Sequence, residues 1–142
     1  MKNQSMFTLL SSYYGYYLKA QAYHWNVSGS KFFSMHKFFE KQYGKFAEDI
    51  DEIAEMIRIL GEKVDASFES FEKNSIVSKP NINFSGKEMI FDLYNDNQKL
   101  YNFIKDVIKE YEERENPVVV DMLTQKLSVL AKDAWMMRTD LE

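Results

Sequence analysis

The chain has 142 residues, 45% of them hydrophobic and 15% aromatic, with a formal net charge of −4. That length suffices for one domain with a sizeable core, and the charge excludes a bulk electrostatic pull toward nucleic acid or an anionic membrane. Cysteine is absent, which excludes disulfide, zinc–thiolate and iron–sulfur chemistry and fits a cytoplasmic protein. Five Gly and two Pro interrupt the chain so rarely that long helices are expected rather than a sheet with many turns.

The N-terminal stretch MKNQSMFTLLSSYYGYYLKAQA loosely mimics a signal peptide, with an early lysine and a closing Ala-Gln-Ala. Ser11, Ser12, the tyrosines and Lys19 leave it no clean apolar centre, so no signal is predicted. No run approaches the ~20 apolar residues of a membrane span. Instead Met6, Leu10, Tyr13, Tyr17 and His24 recur at helical spacing, which places His24 on the buried face near the end of a first helix. Asn26, Ser28 and Gly29 then break the pattern.

A second stripe, Phe32, His36, Phe39, Tyr43, Phe46, Ile50, Ile53, Ile57 and Leu60, alternates steps of four and three without a miss. It predicts a helix of about thirty residues, roughly 45 Å long, that Gly61 stops. Residues 62–85 read as a long crossover, with Phe68 and Phe71 marking one short helix. Ser85 and Glu88 have capping-box spacing before a third stripe, Ile90, Leu93, Leu100, Ile104, Val107 and Tyr111. Asn116-Pro117 is a helix start for a fourth, Val120, Leu123, Leu127, Leu130, Ala134, Met137 and Leu141. The expectation is a single all-α domain over residues 1–142: a four-helix bundle with a short extra helix in the long connection between helices two and three.

Both histidines of the chain, His24 and His36, lie in HWNVSGSKFFSMH. Turning 100° per residue from His36 puts Glu40, Asp51 and Glu55 in one sector of the second helix beside its core stripe. Gly44, Ala47 and Ala54 share that sector, and small residues let another helix come close. Imidazole plus carboxylate suits iron, zinc or manganese. His36 and Glu40 are one turn apart, as are Asp51 and Glu55, but Glu40 and Asp51 are about 16 Å apart along the axis. If all five residues serve one site, two chains must contribute, paired antiparallel across a two-fold axis. Taken alone, acids at one-turn spacing also describe a solvated helix face, and a histidine on an apolar stripe also describes a core residue. Spacing leaves both readings open.

HWNVSGSKFFSMHKFFEKQY followed by AEDIDEIAEMIRILG resembles the Dps family, the mini-ferritins, and the resemblance runs through to the C-terminal AWMMRTDLE. It implies a ferritin-like four-helix subunit assembled into a hollow dodecamer. It also implies a ferroxidase that oxidises Fe2+, typically with hydrogen peroxide, and stores ferric mineral inside. By matching, the metal ligands are His24, His36 and Glu40 of one chain with Asp51 and Glu55 of the other. Glu40 stands where the family usually has aspartate, which lengthens its reach and keeps the charge. Trp25 matches a tryptophan that intercepts radicals beside the site. The Glu-x-x-His pairs of other ferritins are absent, since Gln21 and Phe33 precede the two histidines by three.

Other family features match less well. Asp121 matches a pore aspartate, and Glu112 sits where another acid of the three-fold iron-entry pore occurs, but Pro117 replaces a further acid. The EEREN stretch also reads as an ordinary charged helix end. Lys37 and Lys41 stand where some relatives carry mineral-nucleating acids. DNA-binding members often carry Lys/Arg-rich tails that neutralise phosphates, whereas this chain starts MKNQS and ends RTDLE, so DNA binding is not expected. The rival reading is a non-enzymatic cage, either a DNA-compacting protein or an assembly without iron chemistry.

Overall fold

The computed structural model describes residues 2–142, and its elements run in the order α1 (Gln4–Asn26), α2 (Phe32–Ile59), α3 (Phe68–Asn74), α4 (Gly86–Glu113) and α5 (Pro117–Asp140). Among the described residues there is no strand. The expected four-helix bundle with a short helix in the long connection is present, and it is all-α. α2 is 28 residues long, close to the length its apolar stripe predicts. No helix among the described residues is long and apolar enough to cross a membrane.

The helix ends follow from local chemistry. Ser85 Oγ accepts from Glu88 N at 3.2 Å while Glu88 Oε1 accepts from Ser85 N at 2.9 Å, a complete capping box. Asn116 Oδ1 accepts from Val119 N, and Pro117 opens α5. α2 stops at Gly61, whose φ of 94° suits a residue without Cβ. There Gly61 N donates to Arg58 O and Glu62 N to Ile57 O, which satisfies two end carbonyls. α4 ends with the same pair of bonds, Glu115 N to Glu112 O and Asn116 N to Tyr111 O. Here the left-handed position is held by Glu115, at φ 55°.

Short connections return α2 against α1 and α5 against α4, and α1 also packs on α3 and α4. The core is built from Met6, Leu10, Tyr13, Tyr16, Phe39, Phe46, Ile53, Ile57, Leu93, Leu100, Ile104, Leu123 and their neighbours. Burying one such side chain contributes about 1.5–3 kcal/mol. Three stripes sit slightly off their predicted centres. Tyr16 is fully buried, whereas Tyr17 is only half-buried. On α2, Phe32, His36, Tyr43, Ile50 and Leu60 are half-buried, and Met35, Gln42 and Met56 go inside with Phe39, Phe46, Ile53 and Ile57. On α5, Val120, Leu127 and Leu141 are half-buried, while Val119, Met122, Lys126 and Asp133 are buried.

The buried charges on α5 account for the shift of its stripe, because each is paired across helices. Lys126 Nζ reaches Asp49 at 2.9 Å and Glu52 at 3.2 Å, and Asp133 accepts from Lys45 at 2.6 Å, so ion pairs tie α5 to α2. Lys19, wholly buried on α1, pairs with Asp96 at 2.7 Å and Asp92 at 3.1 Å on α4. A buried charge is tolerated only with such partners.

Candidate metal centre

His24 lies in the last turn of α1 and His36 in the second turn of α2. The five-residue connection between the helices brings the rings together, stacked with centroids 3.7 Å apart and planes 13° from parallel. His24 Nδ1 is 2.7 Å from the main-chain oxygen of His36, and His36 Nδ1 is 2.7 Å from that of His24. A carbonyl oxygen only accepts, so each Nδ1 must carry a proton and donate. The neutral ring then has its lone pair on Nε2, the nitrogen available to a metal. A carbonyl behind the ring also fixes its orientation, the arrangement typical of ligating histidines. Phe32 stacks on His36 at 4.9 Å and Tyr43 meets His24 edge-on at 5.3 Å, which walls the pair on the protein side.

The carboxylates divide along α2 as its rise per residue predicts. Glu40 lies one turn beyond His36 and pairs with Lys37 at 3.2 Å. The Lys37 ammonium holds the Glu40 carboxyl below its ordinary range, first by hydrogen bonding and then by charge. Asp51 and Glu55 lie one turn apart further along α2, both exposed. The negative charge of Asp51, and then a hydrogen bond between the two carboxyls, pushes Glu55 above its ordinary range. Two acidic side chains thus meet on an exposed face of α2.

The structure brings His24, His36 and Glu40 to one end of α2 and leaves Asp51 and Glu55 at the other, about 16 Å along the axis. Among the described residues, no three His, Asp or Glu side chains of one chain converge as a metal-binding group. Between the two ends the small-residue sector is open: Gly44 and Ala47 are exposed, and a Cβ on Gly44 would meet nothing within 4 Å. Trp25 is 68% exposed beside His24, and Phe33 is 86% exposed on the next helix. Glu112 and Asp121 are exposed on either side of the α4–α5 turn, and Asp121 accepts from Gln125 Nε2 at 3.1 Å.

Two features of the centre have no sequence signal. The reciprocal histidine bonds use main-chain oxygens, which no residue pattern encodes. The Lys37–Glu40 pair has the ordinary spacing of a surface ion pair, so nothing distinguishes it before the histidines are in place.

Residues 8–142 match the family model of the ferritin-like domain, so the chain is a ferritin-like protein. It is 32% identical over 127 residues to a low temperature-induced protein of Nostoc sp., covering 88% of this chain and 71% of the relative. A DNA protection during starvation protein of Helicobacter pylori is 28% identical over 126 residues, 88% of each chain. The crystal structure of a Dps protein from Bacillus brevis superposes with a TM-score of 0.95 at 26% identity, over 97% of this chain and 93% of that one. The Dps protein of Vibrio cholerae O1, described as a member of a broad superfamily of ferritin-like diiron-carboxylate proteins, gives 0.94 at 25% identity, over 97% and 87%. The chain belongs to the Dps family.

Proposed function

We propose that this protein is a ferroxidase and iron store that oxidises Fe2+ at sites shared between two copies of the chain and holds the ferric product inside a homo-oligomeric cage, a dodecamer by family resemblance. The observation that carries the reading is the stacked pair His24–His36, whose Nδ1 protons are committed to carbonyls so that both Nε2 atoms remain for a metal. Imidazole with carboxylate fits iron as substrate, with Glu40 beside the histidines and Asp51 and Glu55 from a second copy. The small-residue sector, with Gly44 and Ala47 exposed and Ala54 half-buried, suits close approach of that copy. Exposed Trp25, Phe33 and Phe68 supply apolar surface for assembly. The diiron-carboxylate description of the Vibrio relative supports the same chemistry.

The residues divide the work. Neutral imidazoles and ionised carboxylates hold Fe2+ without neutralising its reducing power. Two Fe2+ deliver the two electrons that turn one peroxide into two waters, so no free hydroxyl radical is released. Removing both reactants protects DNA chemically, and the net charge of −4 gives no general attraction to phosphate.

The test is Fe2+ addition with hydrogen peroxide, following ferric absorbance, alongside sedimentation of the protein. His24→Ala, His36→Ala and Asp51→Ala combined should abolish fast oxidation and leave the assembly intact. A triple variant as fast as the parent, or a parent that sediments as a single chain, overturns the reading.

A further inference from the structure

Resting on the iron reading above, we infer that Tyr43, Tyr17 and Tyr14 form a redox ladder along the α1–α2 seam that carries an electron between the two ends of α2, and so between two metal pockets. His24 meets Tyr43 edge-on, with centroids 5.3 Å apart. Tyr43 meets Tyr17 at 6.0 Å, and Tyr17 meets Tyr14 at 5.9 Å, both edge-on. Tyr14 then lines the open groove whose walls include Ala47, Asp51 and Ala54. The three rings are therefore in ring-to-ring contact from His24 to the groove that Asp51 also lines, at the acidic end.

Packing by itself does not ask for phenols here. The sequence SSYYGYY places Tyr13 and Tyr16 inside, where both stack on Phe46, and the Tyr16 hydroxyl bonds Gln42. Tyr14, Tyr17 and Tyr43 are half-buried on the other side. Edge-to-face contact is as favourable for phenylalanine as for tyrosine. What the phenol adds is accessible one-electron oxidation, and ring-to-ring contact divides a long transfer into short steps. Tyr17, the middle rung, also accepts a hydrogen bond from Gln21 Nε2 at 3.1 Å, which fixes its hydroxyl.

Electron count supplies the need. Peroxide takes two electrons, whereas one Fe2+ gives one. The ends of one α2 belong to different pockets in the proposed pairing, about 16 Å apart along the axis. With a single Fe2+ present, that ion, a tyrosine, one peroxide and one proton become Fe3+, a neutral tyrosyl radical and two waters. The phenolic proton is included in those waters. An Fe2+ at the far end then reduces the radical, with one proton restoring the phenol. The sum is two Fe2+, one peroxide and two protons giving two Fe3+ and two waters, so the ladder is regenerated.

The experiment is freeze-quench electron paramagnetic resonance on the assembled protein, with hydrogen peroxide and Fe2+ supplied either to half of the sites or to all. The parent should show a tyrosyl signal at half loading that drops several-fold at full loading. Tyr17→Phe, which keeps the ring, should hold its signal at full loading. Tyr14→Phe is the second variant should Tyr17→Phe fold poorly by circular dichroism, and the same persistence is expected. Calorimetric Co2+ binding on the same samples separates the two layers. If the parent binds no Co2+ that His24→Ala and His36→Ala remove, the iron reading falls and the ladder with it. If Co2+ binding is intact and filling the sites quenches the variant as fully as the parent, the ladder alone is wrong. A half-loaded parent without tyrosyl signal is equally fatal to the ladder.

Discussion

His24 and His36 hold each other: each ring donates through Nδ1, at 2.7 Å, to the other residue's main-chain oxygen. The two helices that carry them are thereby locked at their junction, and each ligand's orientation depends on the partner's backbone. Nitrogen-15 NMR of the two imidazoles should therefore find both in the Nδ1–H form when neutral. Zn2+ should move the Nε2 resonances and leave Nδ1 protonated. An Nε2–H form for either ring would contradict the arrangement.

Lys37 and Glu40 form an ion pair that is exposed on both sides. Exposed pairs are screened by solvent and contribute little to stability. Lys37→Gln should free the carboxylate for a metal, return its pKa upward toward the ordinary value, and tighten Co2+ binding by a few-fold in calorimetry. Weaker binding in this variant would mean that the lysine positions Glu40 rather than competing for it.

Burial pushes Asp96 and Asp49 above the ordinary carboxylate range, although Lys19 and Lys126 pull them back. The folded chain thus keeps these protons to higher pH than the unfolded chain does. Between the ordinary value and the raised one, their contribution to stability falls as pH rises. Glu40, shifted downward, acts in the opposite sense at lower pH. Denaturant unfolding of Asp96→Asn across that window should show a shallower decline than the parent. Identical slopes for the two proteins would contradict the assignment to Asp96.

Glu115 sits at φ 55° in the turn that ends α4, where a side chain costs about 1–2 kcal/mol in a left-handed conformation. Part of that strain returns as extra unfolded-state freedom when glycine is installed. Glu115→Gly should raise stability by about 0.5–1 kcal/mol in urea unfolding. A destabilised variant would show that the Glu115 side chain makes up for its backbone.

The helices and their ends were legible because they depend on neighbours in sequence. Ser85 caps with Glu88 three residues on, Asn116 and Pro117 start α5, and the unbroken α2 stripe marks its full length. Periodicity places Tyr17 in the core because SSYYGYY offers aromatic residues on both faces of α1, and spacing cannot rank them. Lys126 and Asp133 carry no core signal in the sequence, because a charge goes inside only when a distant helix supplies its partner, here Asp49 and Glu52 for the first and Lys45 for the second. The turn at Glu115 carries no glycine, so its left-handed residue gave no sign.

The candidate centre divides in the same way. The residue types and their one-turn spacings on α2 followed from the sequence, as did the distance between its two ends, because helix geometry converts residue number directly into length. The stacking of the histidines, the nitrogen each presents, the lysine on Glu40 and the tyrosine contacts along the seam were decided only by the tertiary structure. Each depends on main-chain oxygens or on rings brought together from separate helices, and packing rather than residue order determines which of them meet.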